Sequence, residues 1–278
     1  MRTVEAHINY VSRDSKINRR WVSPGLDINT GTYETHKVVI RDARSAQQPF
    51  TMDRHGFTLI SHTSAVADFN DKQQVDALYR KEAERVILDL TGADRFAPMG
   101  WIIRGSDAVP GGPIQQPAGE AHVDISHDRA QPRAQAMYEK SFPEGRGFRR
   151  FIAMSYWRCL SPPPQDWPLA LCESTSVGPE EGIPNTMYVV DKMPDEKAWV
   201  AEIPGEENAP AASIFFFNPA HRWWYFPNMT RDEVLVFKFH DSDHSRAWRT
   251  PHTAFHDPTY PNAVTRRSIE LRSFVFFE

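Results

Sequence analysis

Residues 268–277 read SIELRSFVFF, and this closing run decides the fold. Its β-branched and aromatic side chains suit a pleated, half-buried strand far better than a helix. The same texture recurs on working back along the chain. Residues 233–240, 213–217, 187–190, 169–173, 148–158, 121–125 and 101–104 each read as a strand, with Pro, Gly, Asn and Asp between them. Aromatic residues make up 12% of the chain and concentrate towards its end, in 215–217, 223–226 and 274–277. The 22 prolines are scattered, which points to structured loops between strands. Many strands with few helices predict a mainly β fold, a closed or double-layer antiparallel sheet in which strand edges are protected.

Upstream of residue 96 the texture changes. Residues 1–50 show little periodicity beyond a short strand at 37–41 and read as an extended arm packing on the later core. A helix is expected over 71–90, where Val75, Leu78, Tyr79, Glu82, Val86 and Leu90 follow three-to-four spacing. Asp68 or Asn70 would cap its start, and Gly92 stands just past its end. A shorter helix is expected over 131–141, with Pro132 in its first turn. The chain parses as one domain over 1–278, with 1–95 supplying an arm and a supporting helix and 96–278 a β-barrel.

Composition excludes several functions. Lys+Arg 32 against Asp+Glu 36 gives a net charge of -4, which offers no general attraction to nucleic acid or an anionic membrane. Apolar stretches run to about four residues, as at 214–217, far too short to span a bilayer, and residues 1–10 lack an apolar signal core. Cys159 and Cys172 are the two cysteines, too few for a disulfide-stapled scaffold or a Cys-built zinc or iron–sulfur site. A soluble, cytoplasmic protein is expected.

The 11 histidines make metal binding worth testing. A mononuclear non-haem iron site takes two His and one carboxylate and leaves open positions. His and Asp two apart on a strand share one sheet face, and His122-Val123-Asp124 is the one place where a histidine has Asp two residues on. A third ligand must come from a distant strand: His252 is one candidate and His221 another. After His252 comes Arg266-Arg267-Ser268, where Arg266 and Ser268 share a face and suit a carboxylate. Arg272 lies on that same face, and Arg158 is a further candidate cation. His127, His240, His244 and His256 stand beside turn residues or acids and read as solvated loop histidines.

The order [His-x-Asp]…[His]…[Arg-x-Ser] resembles the Fe(II)/2-oxoglutarate-dependent oxygenases built on a double-stranded β-helix, the jelly-roll or cupin-like barrel. More narrowly, the chain is similar to the asaB hydroxylase/desaturase family, with its gibberellin desaturase and cephem methoxylase relatives. The resembling segments are 52–57 (MDRHGF), 122–124, 156–160 (YWRCL), 165–170 (QDWPLA), 219–225 (PAHRWWY), 232–238 (DEVLVFK), 252–255 (HTAF) and 266–272 (RRSIELR). Cys159 and Trp224 depart from the family pattern. The resemblance implies His122, Asp124 and His252 as iron ligands, and Arg266 with Ser268 as the 2-oxoglutarate clamp, with Arg272 and Arg158 as the alternatives. Arg104, Trp157, His221, Trp223 and Tyr225 are the candidate substrate-facing residues, and loops 103–119 and 177–210 are placed to shape the pocket. The implied reaction couples dioxygen and 2-oxoglutarate to hydroxylation or desaturation of a small organic molecule. A cupin-like metalloprotein that does not use 2-oxoglutarate, or a metal-free ligand-binding barrel, would fit the same strand pattern.

Overall fold

The computed structural model describes residues 2–109 and 114–278. In chain order the strands are β1 (Thr3–Val11), β2 (Arg19–Ser23), β3 (Leu26–Asn29), β4 (Tyr33–Asp42) and β5 (Phe57–Ser61). They continue with β6 (Arg95–Gly105), β7 (His122–Val123), β8 (Arg150–Cys159), β9 (Leu169–Cys172) and β10 (Ile183–Val189). The last are β11 (Ala211–Ile214), β12 (Trp223–Tyr225), β13 (Glu233–Asp241), β14 (His252–Ala254) and β15 (Arg267–Phe277). A ten-stranded sheet runs β1-β4-β12-β9-β14-β7-β11-β10-β2-β3, and a five-stranded sheet runs β5-β13-β8-β15-β6.

Hydrophobic burial explains the layering. One cluster joins Val4, Ile8, Tyr10 and Trp223 of the larger sheet to Phe151, Trp157, Phe237 and Phe274 of the smaller. A second lies on the opposite face of the smaller sheet, where Ile152, Met154, Tyr156, Val236, Ile269 and Leu271 meet Val75, Tyr79, Ala83 and Ile87 of a helix. The smaller sheet is therefore covered on both sides, and β8 is buried along nearly its whole length rather than alternating.

That helix is continuous over 72–91 and includes a π-helical stretch, Val75–Tyr79. Its buried residues recur at strict spacing of four, which the wider π turn allows, and Leu78 and Leu90 are left exposed. The cap is Asp71, whose carboxylate accepts from the N–H groups of Gln73 and Gln74, in place of Asp68 or Asn70. Gly92 closes the helix in the left-handed conformation, φ 68°. The second helix is His127–Ser141, which starts four residues earlier than expected and holds Pro132 inside it. Its buried Ala130, Ala134 and Tyr138 face the inter-sheet core.

The first fifty residues carry more order than an arm. Along β1, Val4, Ala6, Ile8 and Tyr10 alternate inward, and β1 pairs with the whole of β4. Among the described residues no helix is long and apolar enough to cross a membrane.

Candidate metal centre

β7 and β14 are antiparallel neighbours, and their register sets His252 directly opposite His122. The two imidazole centroids lie 4.3 Å apart. Asp124 stands one residue past the end of β7, in the bend that follows it. One potential ligand atom from each of His122, Asp124 and His252 falls within 4.8 Å of the others. His122 Nε2 is 3.6 Å from Asp124 Oδ1.

The tautomers are set by backbone carbonyls. His122 Nδ1–H donates to the Glu120 carbonyl at 2.8 Å, and His252 Nδ1–H donates to that of Thr250 at 3.1 Å. Nε2 of each ring is thereby left as the donor atom for an ion. Thr250 is itself anchored: its hydroxyl donates to the Gly56 carbonyl at 2.9 Å and its N–H to the Lys238 carbonyl at 2.9 Å. Gly56 adopts φ 88°, and a Cβ there would collide with Thr250 Oγ1, so only glycine fits.

Burial governs the electrostatics. It opposes a charge on His252, and the neighbouring His122 adds to this, pushing the imidazole down to about 3. Burial also opposes a charge on His122, but hydrogen bonding and attraction from Asp124 outweigh it and raise that group. Asp124 resists burial through His122 and Arg272, which hold it well below the usual carboxylate range. Asp124 Oδ2 is buried without a hydrogen bond, its nearest cationic neighbour being Arg272 Nη1 at 3.6 Å.

Arg266, Ser268, Glu270 and Arg272 point alternately inward from the last strand and its entry, as the even spacing requires. A small cleft of ≈ 20 Å³, room for about one water, is bordered by both histidines, Arg104, Trp157, Phe237, Arg266 and Glu270. The Arg266 guanidinium lies over the Trp157 ring at 5.8 Å and donates to the Trp167 carbonyl at 2.9 Å. Its Nε and the buried Ser268 hydroxyl have no hydrogen-bond partner. Glu270, missed in the sequence reading although it keeps the same two-residue period, bonds Ser155 Oγ at 2.7 Å. Burial beside Asp124 pushes its carboxyl up.

On the Asp124 side lies a larger cavity of ≈ 390 Å³, bordered by Met99, Ile102, Arg104, Arg133, Met187, Ile214 and Arg272. An adjoining cavity of ≈ 380 Å³ shares Arg20 and Arg104 and reaches Ile114 to Ala118. Both loops expected to shape the pocket thus have residues there, although residues 110–113 of the first lie outside the described residues.

Arg158 faces the helix side of β8, where its guanidinium donates to the carbonyls of His62 and Arg231 and lies over Tyr79, so it does not meet the cleft. His221 bonds Glu181 at 2.6 Å through Nε2, and β12 is separated from β7 by β9 and β14, so it is not the distal ligand. Trp223 donates to the Tyr10 hydroxyl at 2.8 Å and, with Tyr225, belongs to the inter-sheet core rather than to a substrate wall. His240 is a buried strand residue, not a solvated loop histidine.

Comparison with known proteins gives the family of the chain. A family described as "Oxidoreductase/YMDC permease-like domain" matches residues 8–276. The chain belongs to the hydroxylase/desaturase family of oxygenases that includes asaB. It is 31% identical to the hydroxylase/desaturase efuI of Hormonema carpetanum, over 88% of this chain and 85% of that protein. It is 26% identical to the Fe(II)/2-oxoglutarate-dependent dioxygenase nvfI of Aspergillus novofumigatus, over 91% of this chain and 87% of that one. A solved structure of the iron and alpha-ketoglutarate-dependent endoperoxidase NvfI shares the fold, with a TM-score of 0.81 at 24% identity over 99% and 98% of the two chains.

Proposed function

We propose that His122, Asp124 and His252 hold ferrous iron and that Arg266 and Ser268 grip the distal carboxylate of 2-oxoglutarate. The protein is an Fe(II)/2-oxoglutarate-dependent oxygenase of the hydroxylase/desaturase kind. The observation that carries the site is the pair of imidazoles locked through Nδ1 to carbonyls with a buried carboxylate beside them. Two imidazole nitrogens and one unpaired carboxylate oxygen are the donor set that suits non-haem iron. When bound, iron with 2-oxoglutarate and dioxygen supplies the oxidising power to hydroxylate or desaturate an unactivated C–H bond, releasing succinate and CO2.

The chain's own groups bind and orient. Arg266 borders the cleft that touches both histidines and has an unpartnered Nε–H, and Ser268, two residues on, has an unpartnered hydroxyl. Arg272, beside Asp124, positions that carboxylate. The cleft is smaller than a dicarboxylate, so cosubstrate entry is coupled to movement of the Glu270 and Arg104 side chains that border it. The larger cavity has the volume of a small-molecule site. Its apolar Met99, Ile102, Met187 and Ile214 suit a hydrocarbon body. Arg133, without an ion-pair partner among the described residues, suits an oxygen-rich or acidic end of the substrate. We take the whole chain, 1–278, as one oxygenase domain on a jelly-roll barrel, as the NvfI likeness supports.

The test is succinate formation from 2-oxoglutarate in aerated buffer. It should require added Fe(II) and be lost in His122→Ala and His252→Ala. Iron binding without any 2-oxoglutarate turnover, across a panel of candidate substrates, would instead favour the cupin-like alternative.

A further inference from the structure

β13 contains a bulge. Lys238 pairs with Met154 while His240 pairs with Ala153, so Phe239 is the extra residue. The bulge turns His240 to the Ala153 side of the sheet, where its ring stacks on Phe151 at 5.5 Å. His240 is 4% exposed and its Nδ1 has no hydrogen-bond partner. A buried ring nitrogen left this way calls for an explanation.

Two further imidazoles surround it. His127 is the first residue of the second helix, and His244 lies in the turn after β13. Ring centroids are 5.5 Å apart for His127–His240, 5.3 Å for His127–His244 and 5.4 Å for His240–His244. One nitrogen from each falls within 4.8 Å of the others. Trp248 backs all three, at 5.2, 5.4 and 4.4 Å. Nearby carboxylates are committed elsewhere: Asp241 to Arg150 and Lys238, and Asp243 to Ser245 and Arg246. The donor set is therefore three imidazoles.

We propose that His127, His240 and His244 form a second metal site, for a divalent transition ion such as Zn2+, separate from the His122/Asp124/His252 group. Nitrogen donors of this kind favour zinc, nickel, cobalt or copper over calcium and magnesium. Zinc–nitrogen bonds of about 2.0–2.1 Å in a tetrahedron bring donors to roughly 3.4 Å from one another. His240 is fixed by the bulge and Phe151, while His127 and His244 are exposed and close the remaining distance by turning about their side-chain bonds. Water completes the shell. Such an ion would tie the start of the helix to β13, whose Phe239 packs 5.8 Å from the His252 ring.

Calorimetric titration with Zn2+ tests this. The wild-type chain should take up two equivalents, and His244→Gln or His127→Gln one. These two positions are exposed, so folding is not at stake, and succinate production by Fe(II)-loaded His244→Gln should match wild type. In a His122→Ala/His252→Ala protein one equivalent should remain, and the same chain titrated with Co2+ should develop visible d–d bands that the added His244→Gln change removes. A wild-type chain that binds one equivalent, or a second equivalent that survives both Gln variants, overturns the proposal.

Discussion

Replacing Arg266 by Met separates the clamp from the metal more cleanly than any change at the ligands. The guanidinium is almost fully buried and makes one hydrogen bond, to the Trp167 carbonyl, with its Nε unpartnered. Burial lowers its affinity for a proton, so a facing cosubstrate carboxylate would offset the cost of desolvating the cation. A bound carboxylate would gain two charge-assisted hydrogen bonds, each about 1.5–3 kcal/mol. Taking the lower value for both, about 3 kcal/mol is lost, which raises KM for 2-oxoglutarate by roughly 150-fold. Met has similar length and no charge to bury, so the melting temperature should hold or rise. Arg158→Met should do the opposite, since it strips the carbonyls of His62 and Arg231 of their donor: lower stability with KM unchanged. The assay is succinate release against 2-oxoglutarate concentration, alongside thermal melts. If Arg266→Met shifts KM by less than threefold while Arg272→Met shifts it strongly, the clamp is wrongly assigned.

Other outcomes follow from the same contacts. Gly56→Ala forces a side chain onto Thr250 Oγ1 in a left-handed conformation, so it should destabilise by on the order of 2 kcal/mol and weaken Fe(II) binding, as read by melts and metal titration. Glu270→Gln removes a negative charge from the cleft and should lower KM for 2-oxoglutarate by roughly fivefold, about 1 kcal/mol; an increase would show that Glu270 donates to the cosubstrate instead. Glu173 is held down to about 2 because, although burial opposes its charge, Arg222, Thr175 and Trp224 outweigh that. Its contribution is complete above pH 4.5 and fades as pH falls towards 2, so Glu173→Gln should flatten the stability–pH slope in that window, by on the order of 2 kcal/mol in all.

The legible parts of this molecule were those with a short period or a strong local signal. The strands after residue 96 stood out because aromatic and β-branched runs are broken by turn residues, and each expected strand there has an observed counterpart. Arg266, Ser268 and Arg272 fell on one face because the period of two needs no tertiary knowledge. β1 was overlooked although Val4, Ala6, Ile8 and Tyr10 alternate, since Glu5, His7 and Asn9 gave the segment a polar look. The three-residue strands β12 and β14 were too short to show periodicity, and this hid the register that sets His252 against His122. Arg158 misled because a strand arginine beside a tryptophan carries no sign of which face it takes. The bulge at Phe239, which buries His240, leaves no local pattern at all.

The central claim is that one ion is held between His122, Asp124 and His252. Its most direct measurement is the visible charge-transfer band formed when Fe(II) and 2-oxoglutarate are added under argon. We expect the band in wild-type protein and in His221→Ala, and none in His122→Ala or His252→Ala. A full-strength band in both of the latter variants, or its loss in His221→Ala alone, would contradict the account.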